Sequence, residues 1–168
     1  MKKLFLFAAI AATPFFASAQ ELKFGYINAM EILYAMPEMD GVEKQYADYA
    51  AQNKKMLEDM ETEYQKQVDL FQEMMQDATL TDAKKKDQLA NVQGLQTRMQ
   101  NLQVTVQQDL EQKQMQLLQP LQEKLQKAID SVSKKNNFFM VFNSQAIHYK
   151  SEKAVDLTPL VKKELGVK

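Results

Sequence analysis

From Val42 to Lys134 the chain carries one glycine, Gly94, and one proline, Pro120. The run is rich in Gln, Lys, Glu, Met and Leu, all good helix formers. It is nevertheless interrupted near its middle, at Asp77-Ala78-Thr79-Leu80-Thr81-Asp82, where Thr79 or Thr81 can cap a new helix. This reads as one helix over about 41–77 and a second over about 82–135. Before the break, apolar residues recur at Leu57, Met60, Tyr64, Val68, Phe71 and Met75. After it they recur at Leu89, Val92, Leu95, Met99, Leu102, Val106 and Leu110. Steps of three and four mark one helical face. Folding the chain back near Leu80 sets Phe71 opposite Leu89, Val68 opposite Val92, Tyr64 opposite Leu95, Met60 opposite Met99 and Leu57 opposite Leu102. An antiparallel helical hairpin needs that mirror, because each helix buries its stripe on the other. At about 1.5 Å per residue the shorter helix spans roughly 55 Å. So thin an arm encloses no globular core.

Two residues disturb the second helix. Gly94 is either a soft point or a tolerated glycine, costing about 1 kcal/mol relative to Ala. Pro120 removes an intrahelical bond and is expected to kink the helix. Pro120 faces the start of the first helix near Gly41, so the kink falls where the hairpin ends.

Both ends of the chain supply what lies beyond. "LKFGYINA" (22–29) reads as a strand, and "MEILYAMPEM" as a short helical turn stopped by Pro37. After a turn at Asn136-Asn137, Phe138 to Phe142 reads as a strand apolar on both faces and hence buried on both. Ile147 to Tyr149 extends it or adds another. A terminal helix is expected over 159–165, with Thr158 as cap, Pro159 at its first position and Gly166 beyond its end. The fold class is therefore α+β and mostly α: a long antiparallel coiled-coil hairpin (41–119, turn near 78–82) on a small β-rich base (20–40 and 120–168). Two or three strands are marginal at this size and leave exposed edges, which association through the base would cover.

Residues 1–19 read as a signal peptide. Lys2 and Lys3 precede an apolar run from Leu4 to Phe16, and Ala17-Ser18-Ala19 is a small-x-small cleavage site. The run is too short for a membrane span, which predicts an exported, soluble, periplasmic protein. The chain has no cysteine, so neither a disulfide nor a lipid anchor on Cys is expected. Removing Lys2 and Lys3 takes the net charge from −1 to about −3. Such a chain, with Arg98 its single arginine, is a poor nucleic-acid binder.

These segments together resemble the Skp (OmpH-like) family of periplasmic chaperones. The likeness covers essentially the whole chain after the signal peptide. It is carried by "FGYINAMEIL…MPEM", the Gln/Lys/Glu-rich hairpin, "LLQPLQEKLQKAI" and "FFMVFNSQAIHY…AVDLTPLVKKELG". The resemblance implies a homotrimer, with base strands of three chains forming a small barrel and three tentacle-like arms around a cavity. It further implies that unfolded outer-membrane proteins are held there without ATP or other cofactor. The chain departs from its better-known relatives in being acidic rather than basic. Lys84-Lys85-Lys86 at the arm tip is its one dense cationic cluster, and no lipopolysaccharide site is carried over.

Client binding needs apolar surface left over after the hairpin closes. At 100° per residue the surplus flank of the first helix carries Tyr49, Met56, Leu70 and Met74. Val104 and Met115 lie nearly opposite the seam of the second. Methionine suits a surface that meets many sequences. The alternatives are packing within or between arms, or ordinary exposed apolar residues. Enzymatic readings find little. His148 is the lone histidine and stands at no motif spacing, and Glu58, Asp59, Glu61 and Glu63 point in different directions around a helix. Neither a catalytic nor a metal residue is expected. A holdase chaperone is the leading reading; a structural or adaptor coiled coil of the cell envelope is the alternative.

Overall fold

The structure, a computed structural model, describes residues 22–167; the signal-peptide reading of 1–19 lies outside them. The elements are β1 (Lys23–Ile27), α1 (Ala29–Ala35), α2 (Glu38–Gln76), α3 (Asp82–Lys135), β2 (Phe138–Asn143), β3 (Val155–Asp156) and α4 (Thr158–Leu165). A single 3-10 turn, Ser144–Ala146, follows β2. The two long helices form the expected antiparallel pair. Val92 and Val106 are buried on its seam, Val106 to 5% exposure, and Asn53 is buried on the facing helix.

The turn between the helices is built by Asp77 rather than by a threonine cap. Its Oδ1 accepts from the Thr79 N–H (2.7 Å) and from the Thr79 hydroxyl (2.6 Å). Thr81 occupies the N-cap position of α3, but its side chain makes no capping bond. Across the turn Lys85 Nζ lies 3.5 Å from the Met75 carbonyl, near the end of α2. A cation there meets the carbonyls that a helix end leaves unpaired.

Helix α2 starts at Glu38, three residues before Gly41. Pro37 has αR dihedrals and occupies the N-cap position, so the chain enters the long helix directly after it. Proline is tolerated at a helix entrance, where the missing N–H has no intrahelical acceptor. At the other end α3 runs unbroken through Pro120 for 54 residues. What changes at Pro120 is the surface beneath the helix. Beyond it Leu121, Leu125, Ala128 and Val132 are buried at helical spacing. They join Ile27, Ile32, Leu33, Met36, Val42, Leu157 and Val161 in one core.

The sheet is three-stranded and parallel, in the order β2-β1-β3. Lys23 pairs with Phe138 and Ile27 with Asn143, so the central strand meets its partner only after the whole hairpin has intervened. Gly25 lets the sheet approach the core: a Cβ there would lie 2.7 Å from Leu157 Cδ1 and 3.2 Å from Phe138 Cδ1. Asn137 adopts φ 56°, a left-handed conformation asparagine tolerates, and turns the chain from α3 into β2.

Three expectations for the base are corrected. Phe138 to Phe142 is a strand, but it is not buried on both faces: Phe139 is 59% and Phe142 45% exposed. Ile147 to Tyr149 forms no strand; the third strand is Val155–Asp156, which docks on β1. Thr158 does not cap α4. Its Oγ1 accepts from the Asn28 N–H (2.9 Å), tying α4 to the end of β1, while Asp156 Oδ1 accepts from the Thr158 N–H (2.9 Å). Gly166 ends α4 with φ 72°, as its position after Leu165 predicts.

Candidate client-binding surface

Charged pairs link the elements at the root of the arm and in the base. Lys124 pairs with Glu38 across the two long helices. Lys162 of α4 pairs with Glu31 of α1 (2.7 Å). Glu164 accepts from Lys135 Nζ (2.8 Å) and from the Ser131 hydroxyl (2.7 Å), joining α4 to α3. The Lys124 and Lys135 ammonium groups hold the Glu38 and Glu164 carboxyls below the usual glutamate range. At the tip, hydrogen bonds from the Thr79 hydroxyl and N–H hold the Asp77 carboxyl low in the same way.

From this anchored root the arm carries the six residues singled out in the sequence. Met56 and Leu70 on α2 are exposed, as are Val104 and Met115 on α3, Met115 to 66%. Tyr49 and Met74 are half-buried. Tyr49 is engaged within the arm: Lys113 Nζ sits 5.5 Å above its ring, and its carbonyl accepts from Asn53 Nδ2 (2.9 Å). The six therefore form no single pocket. Four project from the two helices into a largely polar surface, and two are half-buried. Gly94 is exposed, and a Cβ there would meet nothing within 4 Å. No steric reason for a glycine exists at that position.

A groove at the arm root escaped the sequence reading. Met30, Leu33 and Tyr34 of α1, Met39 and Tyr46 of α2, and Leu118 of α3 line a cavity of about 240 Å³. Met30 and Tyr34 are exposed at its rim. The signal was available in "AMEILYAMPEM", where methionines and a tyrosine outnumber what one short helix can bury. It emerges only once α1 is laid beside the long helices.

The remaining polar groups have ordinary surroundings. Glu58, Asp59, Glu61 and Glu63 are exposed, and Glu58 lies 3.5 Å from Lys54 one turn away. His148 is exposed in the segment after β2. Among the described residues no group of three or more His, Cys, Asp or Glu side chains is placed to hold a metal ion. No helix among them is long and apolar enough to cross a membrane.

Residues 23–165 match the model of a family described as outer membrane protein (OmpH-like). A crystal structure from Caulobacter crescentus, of a candidate outer membrane chaperone (OmpH-like), superposes with a TM-score of 0.68. The two share 14% identity, over 86% of this chain and 83% of that one, so this likeness is one of fold. No curated protein matches the chain.

Proposed function

We propose that this chain, which belongs to the OmpH-like outer membrane protein family, is an ATP-independent periplasmic holdase chaperone. Its clients are unfolded outer-membrane proteins, held against the arms until they reach the outer membrane. The observation that carries this reading is the apolar surplus of the arm. Met56, Leu70, Val104 and Met115 stay exposed after the hairpin has closed. A rod serving only as a spacer needs no apolar side chain outside its seam. Weak, dispersed apolar contacts on flexible side chains retain a chain without imposing one conformation on it.

The working form is a homotrimer joined through the base. Two features support it. Among the described residues, the outer edge of β2 and that of the two-residue β3 have no partner strand in the sheet. Leu22, Phe24, Phe139, Met140, Phe142 and Val155 also leave apolar surface exposed around those strands. Open edges beside exposed apolar side chains are covered in soluble proteins, and a ring of copies covers both at once. Three arms from one ring would then face a common cavity.

The test is direct. A denatured outer-membrane β-barrel protein is diluted with and without the purified protein, in the absence of nucleotide, while light scattering is followed. Suppression at one trimer per client is expected. Replacing Met56, Leu70, Val104 and Met115 together with Gln should weaken it severalfold with helicity retained. Unchanged scattering with the wild-type protein would remove the holdase reading. The Phe139→Ser, Phe142→Ser double variant should sediment as a monomer; a trimer retained by that variant would rule out association through β2.

A further inference from the structure

We propose that the arm is divided by a polar latch into a fixed shaft and a tip that opens on its own. The latch is centred on Gln67 of α2 and Gln88 of α3. Gln88 Nε2 donates to the Gln67 carbonyl (3.1 Å) and to Gln67 Oε1 (2.9 Å). Asn91 Nδ2 lies 3.3 Å from the same Oε1, and Gln67 Nε2 donates to Glu63 (2.7 Å). Two of these contacts converge on one side-chain oxygen, and one reaches the main chain of the opposite helix. Both glutamines are half-buried, so water competes for them less than at the surface.

A second observation falls at the same place. Toward the base, Val92, Asn53 and Val106 are buried on the seam. From Asp69 to Asn91, none of the residues is buried, and Met75 and Leu89 of the stripe are themselves exposed. The tip is therefore two helices with little apolar burial between them, the kind of segment that opens at low cost. On α3 the latch stands one turn from Val92, where burial on that helix ends, whereas on α2 the last buried residue before the tip is Asn53, and between it and Gln67 the seam residues are half-buried. The latch stops that opening from running down the shaft. Opening frees Phe71, Met75 and Leu89 together, apolar surface the closed arm does not present in full. Only the use of that surface for an unfolded chain rests on the holdase reading; the latch does not.

Hydrogen exchange on the full-length protein without client tests it. In the wild type, amides of residues 69–91 should exchange roughly tenfold or more faster than those of 44–66 and 93–118, with a step at the latch. Gln88→Glu keeps the size of the side chain but removes both donated bonds. It should carry the fast-exchanging region toward the base, speeding residues 60–66 and 93–99 by roughly five- to tenfold. Gln72→Glu, one turn nearer the tip, should leave the step in place. Protection uniform along the arm, or a step unmoved by Gln88→Glu, overturns the proposal. Neither result bears on whether the protein suppresses client aggregation.

Discussion

Gly25 shows how one position couples the sheet to the core. The nearest atoms to its missing Cβ belong to Leu157, which is fully buried, and to Phe138 of the neighbouring strand. Leu157 sits inside the core and must shift to admit a methyl group, so Gly25→Ala should destabilise the protein by about 1–3 kcal/mol, as overpacking does. Urea denaturation followed by circular dichroism measures it; no loss would mean that Leu157 can move aside. This constraint was not legible in the sequence, because a glycine in a strand does not disclose what approaches it. The same holds for Thr158. The sequence ahead of Pro159 has the form of a helix cap, yet the hydroxyl serves a partner 130 residues away. Local signals describe local geometry, and such long-range tasks are assigned by packing.

At the scale of elements, the helices were readable and the strands less so. The mirrored stripes encode the hairpin because both partners lie within one continuous period, and Asp82 to Lys135 emerges with the expected ends. Strand β3 has two residues and no periodicity of its own, so it is visible only through its pairing with β1. Of the candidate surface, exposed Met56 and Met115 follow from helical angles, whereas Met75, expected on the seam, is exposed, Met74 is half-buried, and the root groove needs three elements side by side. The arm and base also differ in how they hold a helix. Leu125 lies in a core built from several elements, so Leu125→Ala should cost about 2–5 kcal/mol. Val106 is buried between two helices only, where neighbours relax and water enters, and Val106→Ala should cost about 1 kcal/mol. Equal losses in urea titrations would show the arm to be as tightly packed as the base.

Acid acts at the same scale, through the pairs that join elements. Glu38 and Glu164 have folded-state values lowered by Lys124 and Lys135. Groups lowered on folding stabilise the protein above their unfolded values and lose that contribution as pH falls through the folded ones. Stability should therefore be flat from neutrality down to about pH 5 and decline below about pH 4, within and under the ordinary carboxylate range. Glu164→Gln should make the decline shallower. Thermal melts across that range read both, and a midpoint already falling between pH 7 and 6 would point to other groups.

For the whole molecule, the decisive feature is that β1 and β2 pair across the entire hairpin. Strands so far apart in sequence meet late, because the intervening chain must first be ordered. Refolding should thus show arm helicity ahead of base assembly, with base formation dependent on protein concentration if the copies associate. Stopped-flow circular dichroism beside sedimentation can separate the two.

The same pairing makes the arm an excursion that leaves from one strand and returns to its neighbour. Seen this way, arm length is a dial and the base is a fixed mount. Removing one heptad from each helix at matching heights, residues 57–63 and 96–102, nearly preserves the phase of both stripes. The shortened protein should keep its base while reaching about 10 Å less far. Cutting one helix alone would put the facing stripes out of step. A lineage of such proteins can resize the arm without renegotiating the core that anchors it.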